Sequence, residues 1–199
     1  TDVVKRLIDI GTAAALLLLL APLFLFVAVA IRLESPGAVF FRQVRVGRHG
    51  QTFTMWKFRS MYIDAEQRKA TLEQDNEMQG GVLFKMKQDP RITRVGRVIR
   101  RLSIDELPQL WNVLSGDMSL VGPRPALPVE VGQYSLDDRG RLDTKPGITC
   151  TWQVTGRSNI PFEEQVMLDI EYIREQSVKN DLKLLVKTVP AVISGHGAY

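Results

Sequence analysis

Polarity changes abruptly along this chain. Ile10 to Ile31 is a run of 22 residues without a charge, IGTAAALLLLLAPLFLFVAVAI. Ser35-Pro36-Gly37 then gives a turn signal. Val39 to Val46 and Thr52 to Phe58 are two short segments rich in Val, Phe and Thr, parted at Gly47 to Gly50, and they predict a β-hairpin. Tyr62 to Gln79 is polar, ends at Gly80-Gly81, and reads as a solvated helix or a loop. Ile92 to Leu102 places Val95, Val98, Ile99 and Leu102 at helical spacing, with arginines on the other faces. Phe162 to Ser177 opens after Pro161 with Glu163 and Glu164 in its first turn, as a helix does. Lys179 to Val189 is a second basic amphipathic segment, with Leu182, Leu185, Val186 and Val189 apolar and Lys179, Lys183 and Lys187 four apart.

Length first decides what the apolar run is. A cleaved signal has a shorter apolar stretch of ~7–15 residues and a small-residue cleavage site, and neither is present. A spanning helix needs ~20 apolar residues, which the run supplies. A re-entrant hairpin is the third reading. Pro22 near the middle removes a backbone bond and bends a helix there. The halves Ile10–Ala21 and Leu23–Ile31 would be ~18 and ~14 Å long, each reaching about mid-bilayer. Lys5 and Arg6 precede the run, while Arg32, Arg42, Arg45 and Arg48 follow it, so both flanks look cytoplasmic rather than asymmetric. Spanning and re-entrant helices both remain open from these features.

The charge count sharpens the division. The net charge of +4 lies wholly in residues 41–199, because residues 1–40 hold three basic and three acidic groups. The mean hydropathy of −0.05 is therefore an average over an apolar block and a basic body. At 199 residues the chain has room for one sizeable core. One cysteine excludes a disulfide scaffold, and two histidines make a histidine-rich metal cluster unattractive. Beside an anchor, the two basic amphipathic segments suit a headgroup interface as well as they suit a solvated face over a core.

No phosphate-binding P-loop, dinucleotide fingerprint or nucleophile elbow occurs. The dense segment is Ser103 to Pro125, SIDELPQLWNVLSGDMSLVGPRP. Asp105-Glu106 precedes Pro108 and an apolar helical run, so the pair belongs at a helix start. Ser103 and Glu106 fit a capping box, and Asp105 fits a cap one turn later. The same place suits chemistry. Two carboxylates there can bind Mg²⁺, or one can act as a nucleophile. Pro123-Arg124-Pro125 is either a stiff turn or a fixed fork for phosphate. Lys57 and Arg59, two apart on a strand, share a face and make either a solvated surface or a second phosphate clamp. Lys145 and Arg157 add cations at turns.

Taken together, these stretches resemble the bacterial monotopic phosphoglycosyl transferases, also called bacterial sugar transferases or polyprenyl-phosphate sugar phosphotransferases. The matching stretches are KRLIDIG, SPGAVFFRQVRVG, KFRSM, RRLSIDELPQLWNVLSGDMSLVGPRP, KPGIT, WQVTGRS and LDIEYI through TVPAVISGHGAY. They cover nearly the whole chain.

The resemblance implies a helix-dominated α+β fold. Residues 1–34 would form a re-entrant membrane helix broken near Pro22, and residues 35–199 a cytoplasmic catalytic domain with a small β-hairpin and interfacial amphipathic helices. It implies transfer of a sugar 1-phosphate from a UDP-sugar to undecaprenyl phosphate, releasing UMP, at the cytoplasmic face of the bacterial inner membrane. This step would begin O-antigen, capsule or exopolysaccharide assembly. Asp105 would form a phosphosugar–aspartate intermediate, and Glu106 would help to hold Mg²⁺. Lys57, Arg59, Pro123, Arg124 and Pro125 would line the phosphate site, with Arg157 a weaker member. The partners are the UDP-sugar, undecaprenyl phosphate and membrane lipid, without nucleic acid; a homodimer is compatible with the pattern. Neither the sugar nor the glycan pathway is legible, and an excised catalytic domain reads the same as a short natural protein. The family commonly reads KPGITG where this chain has KPGITC, so Cys150 is expected to pack rather than react. The alternative is a membrane-anchored basic module without catalysis that binds anionic lipid or nucleic acid.

Overall fold

The computed structural model describes residues 2–72, 89–155 and 160–194. It opens on two helices, α1 (Asp2–Leu19) and α2 (Ala21–Glu34), bent by 59° where they meet at Leu20. Pro22 lies in the first turn of α2, and its missing N–H leaves the Leu18 carbonyl without a helical partner. The flanking bonds survive, from Leu20 N–H to Leu16 O and from Phe24 N–H to Leu20 O, each 2.9 Å. Among the described residues no single helix is long and apolar enough to cross a bilayer, whereas the bent pair is by length and composition. Leu18, Leu19, Leu25, Phe26 and Leu33 are largely exposed on it.

The two helices are built into the body. On α1, Ala13 is buried in a core with Met55, Leu110, Val113, Met118 and Leu120. On α2, Val27 and Ile31 pack on Phe58 and Ile99. The charges that flank the apolar run are structural bridges. Lys5 Nζ donates to Asp181 Oδ2 (2.5 Å) and to Val121 O (3.0 Å). Tyr172 OH donates to the other oxygen of Asp181 at 2.7 Å. Arg6 donates to the Val113 and Leu114 carbonyls, and Asp9 Oδ1 accepts the Leu120 N–H at 3.1 Å.

The expected hairpin is present as β1 (Phe40–Val46) and β2 (Thr52–Phe58), antiparallel, with Phe41 opposite Lys57 and Arg45 opposite Phe53. Helix α3 (Ala65–Leu72) covers part of the polar segment that reads as helix or loop, and residues 73–79 of that segment lie outside the described residues. Helix α4 (Arg94–Arg101) realises the first amphipathic segment. The Thr93 hydroxyl caps it, and Glu34 at the end of α2 accepts the Arg94 and Val95 N–H groups at 2.7 and 2.8 Å. Gly96 is required here, because a Cβ would lie 1.9 Å from the Ser60 carbonyl oxygen.

Helix α5 (Gln109–Ser115) leads to a parallel pair that was not expected, β3 (Ser119–Val121) with β4 (Gly147–Thr149). Three-residue strands leave no periodic signal to read. Short helices α6 (Pro128–Val131) and α7 (Thr151–Thr155) precede α8 (Phe162–Arg174) and α9 (Val178–Ser194). Both long helices fall where expected, although α9 continues past Pro190. Asp181 and Leu184 are buried and Leu185 packs on the core, while Leu182, Val186, Val189 and Ile193 form an exposed apolar stripe beside exposed Lys179, Lys183 and Lys187. The fold is therefore helix-dominated α+β, with two small sheets among the described residues.

Candidate active site

Asp105 and Glu106 lie on a 3₁₀ turn, Ile104–Glu106, between α4 and α5. Ser103 enters it in the left-handed region at φ 55° and makes no capping bond. The capping-box expectation is thus not met. Glu106 does not fold back onto the backbone; its Oε1 accepts from Lys57 Nζ at 2.7 Å. The two carboxylates are released from capping because Pro108, not Ser103, leads into α5.

Lys57 reaches Glu106 because α5 grips the open edge of β2. Asn112 is buried, and its amide acts as a surrogate strand peptide. Oδ1 accepts the Trp56 N–H at 3.0 Å, and Nδ2 donates to Thr54 O at 2.8 Å. An edge strand offers such a free row of donors and acceptors. One helical turn separates Asn112 from Pro108, so this clamp sets β2 against the acidic turn.

The facing wall is Pro123-Arg124-Pro125. Both prolines are buried and Arg124 is exposed between them. The Pro123 carbonyl accepts the Gly147 N–H at 2.9 Å, and the Pro125 carbonyl accepts from Arg45 at 3.0 Å. Arg124 makes no hydrogen bond among the described residues, and its guanidinium lies 5.9 Å from the Trp152 ring centroid, cation–π range. Lys57, Arg59, Asp105, Glu106, Arg124 and Pro125 all line one cavity of about 860 Å³. Pro123 stands behind that wall rather than on it.

Arg59 is placed differently from Lys57. Its terminal nitrogens donate to Pro36 O (2.6 Å), Ser35 O (2.8 Å) and Ser35 Oγ (2.9 Å). Only Nε lacks a partner among the described residues. Gly37, at φ +118°, makes this possible, since a Cβ there would sit 2.3 Å from Arg59. Arg59 thus braces the exit from α2 against the cavity. Arg157 lies outside the described residues.

The electrostatics separate the two carboxylates. Burial pushes Asp105 up to about 6, helped by the Glu106 charge and opposed by Lys57 and Arg100. Burial acts the same way on Glu106, but Lys57 and Arg124 outweigh it and hold Glu106 down at about 2. Adjacent residues are thereby tuned apart, one kept ionised and the other basic for a carboxylate. In the sequence Arg45 stands out only as a flanking charge. Burial and the neighbouring Arg124 lower it to about 10, and it donates to Gln43 as well as Pro125. Its place on the cavity face of β1, two residues from Gln43, is the strand-period signal that could have found it.

Arg141, Tyr134 and Phe162 also line the cavity; Arg141 lies against both rings and pairs at 2.6 Å with Asp169, which is buried behind it. Burial pushes Asp169 up to about 6 against that pairing. Cys150 is buried, and burial raises its thiol well above the usual range, in keeping with packing.

A family model described as bacterial sugar transferase matches residues 1–195. The galactosyl transferase CpsE of Streptococcus agalactiae is 47% identical over 197 residues, covering 98% of this chain and 43% of that protein. The undecaprenyl-phosphate galactose phosphotransferase of Salmonella typhimurium is 40% identical over 206 residues, 98% of this chain and 41% of its own length. The UDP-glucose:undecaprenyl-phosphate glucose-1-phosphate transferase of Caulobacter vibrioides is 41% identical over 206 residues, the whole of this chain and 73% of its own. The chain thus spans less than half the length of the first two relatives.

Proposed function

Since the chain belongs to the bacterial sugar transferase family, we propose that it moves a sugar 1-phosphate from a UDP-sugar to undecaprenyl phosphate. The observation that supports this most is a buried carboxylate, Asp105, beside a Lys57–Glu106 ion pair and facing Arg124, which has no hydrogen-bond partner among the described residues, across one cavity. The names of the relatives make UDP-galactose and UDP-glucose the first donors to test.

The chemistry runs in two displacements. An Asp105 oxygen attacks the phosphorus that bears the sugar, and the bond from that phosphorus to the UMP oxygen breaks. UMP leaves with the electron pair. A phosphate oxygen of the lipid then attacks the same phosphorus and displaces Asp105, giving a diphosphate-linked lipid sugar. Asp105 suits the first step because burial leaves it more basic than an ordinary carboxylate yet ionised at neutral pH. Lys57 and Arg124 offer positive charge to the phosphate oxygens where negative charge develops. Arg59 adds its free Nε–H.

Mg²⁺ is held elsewhere by one or two carboxylates completed by substrate phosphates and water. Among the described residues no cluster of three metal-binding side chains occurs. The two-carboxylate set therefore fits the ion only with a diphosphate present, and Glu106 is the residue that would hold it. Bound there, Mg²⁺ would neutralise phosphate charge.

The bent α1–α2 pair would enter the inner membrane from the cytoplasmic face and return to it. The apolar stripe of α9 with its lysines, and exposed Val98 of α4 with Leu102 just after it, would lie at headgroup level. That arrangement would bring the cavity within reach of a lipid phosphate.

The test is Asp105→Asn with radiolabelled UDP-galactose or UDP-glucose and undecaprenyl phosphate. Transfer should vanish in a folded protein, and the wild type without acceptor should carry the sugar phosphate on Asp105 by mass spectrometry. Turnover by the variant, or sequential kinetics with no adduct, would overturn the covalent route.

A further inference from the structure

Besides Asp105 and Glu106, another carboxylate lines the same cavity, and the two displacements do not use it. Glu130 sits on α6, six residues beyond Arg124, and is 6% exposed. Its two oxygens have different surroundings. Oε2 accepts the Leu127 N–H at 2.9 Å, which fixes the side chain. Oε1 is buried and has no hydrogen-bond partner among the described residues, and the residue lines the cavity. A buried acceptor left unmet is costly, so such an atom signals a missing donor.

Gln153 on α7 repeats the pattern. Its Oε1 is also buried without a partner among the described residues, and it lines the same cavity. These two atoms are acceptors, whereas the same lining also offers an unmet donor, Arg59 Nε, so the ligand has to donate hydrogen bonds at Glu130 and Gln153 and can accept one elsewhere. Phosphate oxygens bring no hydrogen to donate at neutral pH, and the Glu130 charge repels them. A sugar ring brings several hydroxyl donors on adjacent carbons, and a carboxylate oxygen fixed in place can accept two of them. Arg45 ties this region to the phosphate side, because it is bonded to the Pro125 carbonyl and its charge acts on both Glu106 and Glu130.

We propose that Glu130, with Gln153, reads hydroxyl groups: its free Oε1 accepts hydrogen bonds from a sugar ring of the substrate whose diphosphate lies on Lys57 and Arg124. This rests on the reading of the cavity as a nucleotide-sugar site.

Glu130→Gln tests it. The amide oxygen can still accept the Leu127 N–H, while an NH₂ donor replaces the free acceptor. Dissociation constants for UDP, UDP-galactose and UDP-glucose are measured by calorimetry on the wild type and the variant in nanodiscs. The variant should bind both UDP-sugars about tenfold more weakly, the scale of one charge-assisted hydrogen bond. Unchanged UDP binding assigns the reading to the hexose, and an equal loss on UDP assigns it to the ribose. Gln153→Leu, which leaves the Leu127 contact untouched, should weaken the same ligands. Wild-type affinities in both variants overturn the proposal alone. A wild type that binds no UDP-sugar overturns the function read from the site, and this inference with it.

Discussion

Lys57 on β2 and Glu106 on the turn before α5 are joined by a 2.7 Å ion pair, 49 residues apart in sequence. The pair is mostly buried, and Asp105 shares the same charge field. Lys57 lowers both carboxylates. Lys57→Met should therefore do two things. Transfer should fall by roughly 10²–10³, the scale seen when one preorganised stabilising group is removed. The acid limb of the pH–rate profile should also move to higher pH, because Asp105 loses the charge that opposed its burial. A loss of rate with an unmoved profile would mean that Lys57 acts on substrate alone.

Asp105 itself sets a pH window. Its carboxyl is raised to about 6, so the nucleophile is protonated as the pH drops through that value. UMP release in the absence of lipid acceptor should fall about tenfold per pH unit below that point, where an ordinary carboxylate would hold its rate to about pH 4. A flat rate down to pH 4.5 would contradict the assignment. Stability carries the opposite sign. A folded-state value above the unfolded one means that the folded chain binds the proton more tightly, so ionised Asp105 costs stability at neutral pH and the cost is relieved as pH falls through about 6. Asp105→Asn should melt no lower than the wild type at pH 7.5.

Asn112 is the residue whose role the sequence concealed most completely. Replacing it with Leu keeps the volume roughly but leaves the Trp56 N–H and the Thr54 carbonyl without partners at a buried edge. Each unmet group costs about 1–3 kcal/mol, so a loss of roughly 2–4 kcal/mol in chemical denaturation is expected. Activity should fall further than stability does, since the clamp also sets Lys57 against Glu106. Wild-type stability would show that water replaces the amide.

What could be read from the sequence follows from the range of the interactions. The hairpin, α4, α8 and α9 announce themselves by local period and by turn residues, and they lie within a few residues of expectation. The Asp105-Glu106 pair and the proline-flanked Arg124 could be singled out as unusual types in unusual places. Their partners could not. Lys57 finds Glu106, Asn112 finds β2, and Arg45 finds Pro125 across 49 to 80 residues, and no local pattern encodes such pairs. Lys5 shows the same limit from the other side. It was counted as a flanking charge for topology, yet it is spent on Asp181 and Val121.

That last contact changes how the membrane arrangement has to be tested. A cysteine at Lys5 would break a buried ion pair, and one at Ser35 would remove the hydroxyl bonded to Arg59. Val3 (73% exposed), near the start of α1, and the exposed Arg42, beyond the end of α2, avoid both networks. Single cysteines at these positions, with Cys150→Ser, should react with an impermeant maleimide only in inside-out vesicles if the pair enters and returns. Labelling of one from each side would require a spanning helix. Pro22→Leu supplies the missing N–H to the Leu18 carbonyl and removes the ring that bends the pair. It should straighten the helices toward a span and move Val3 to the outer face in a fraction of molecules. That shift is opposed by the bonds of Lys5, Arg6 and Asp9 to the body, which would have to break for α1 to cross. Adding Lys5→Met to Pro22→Leu should therefore raise the outward-labelled fraction above that of Pro22→Leu alone, and an unchanged fraction would show that those bonds do not hold the re-entrant form.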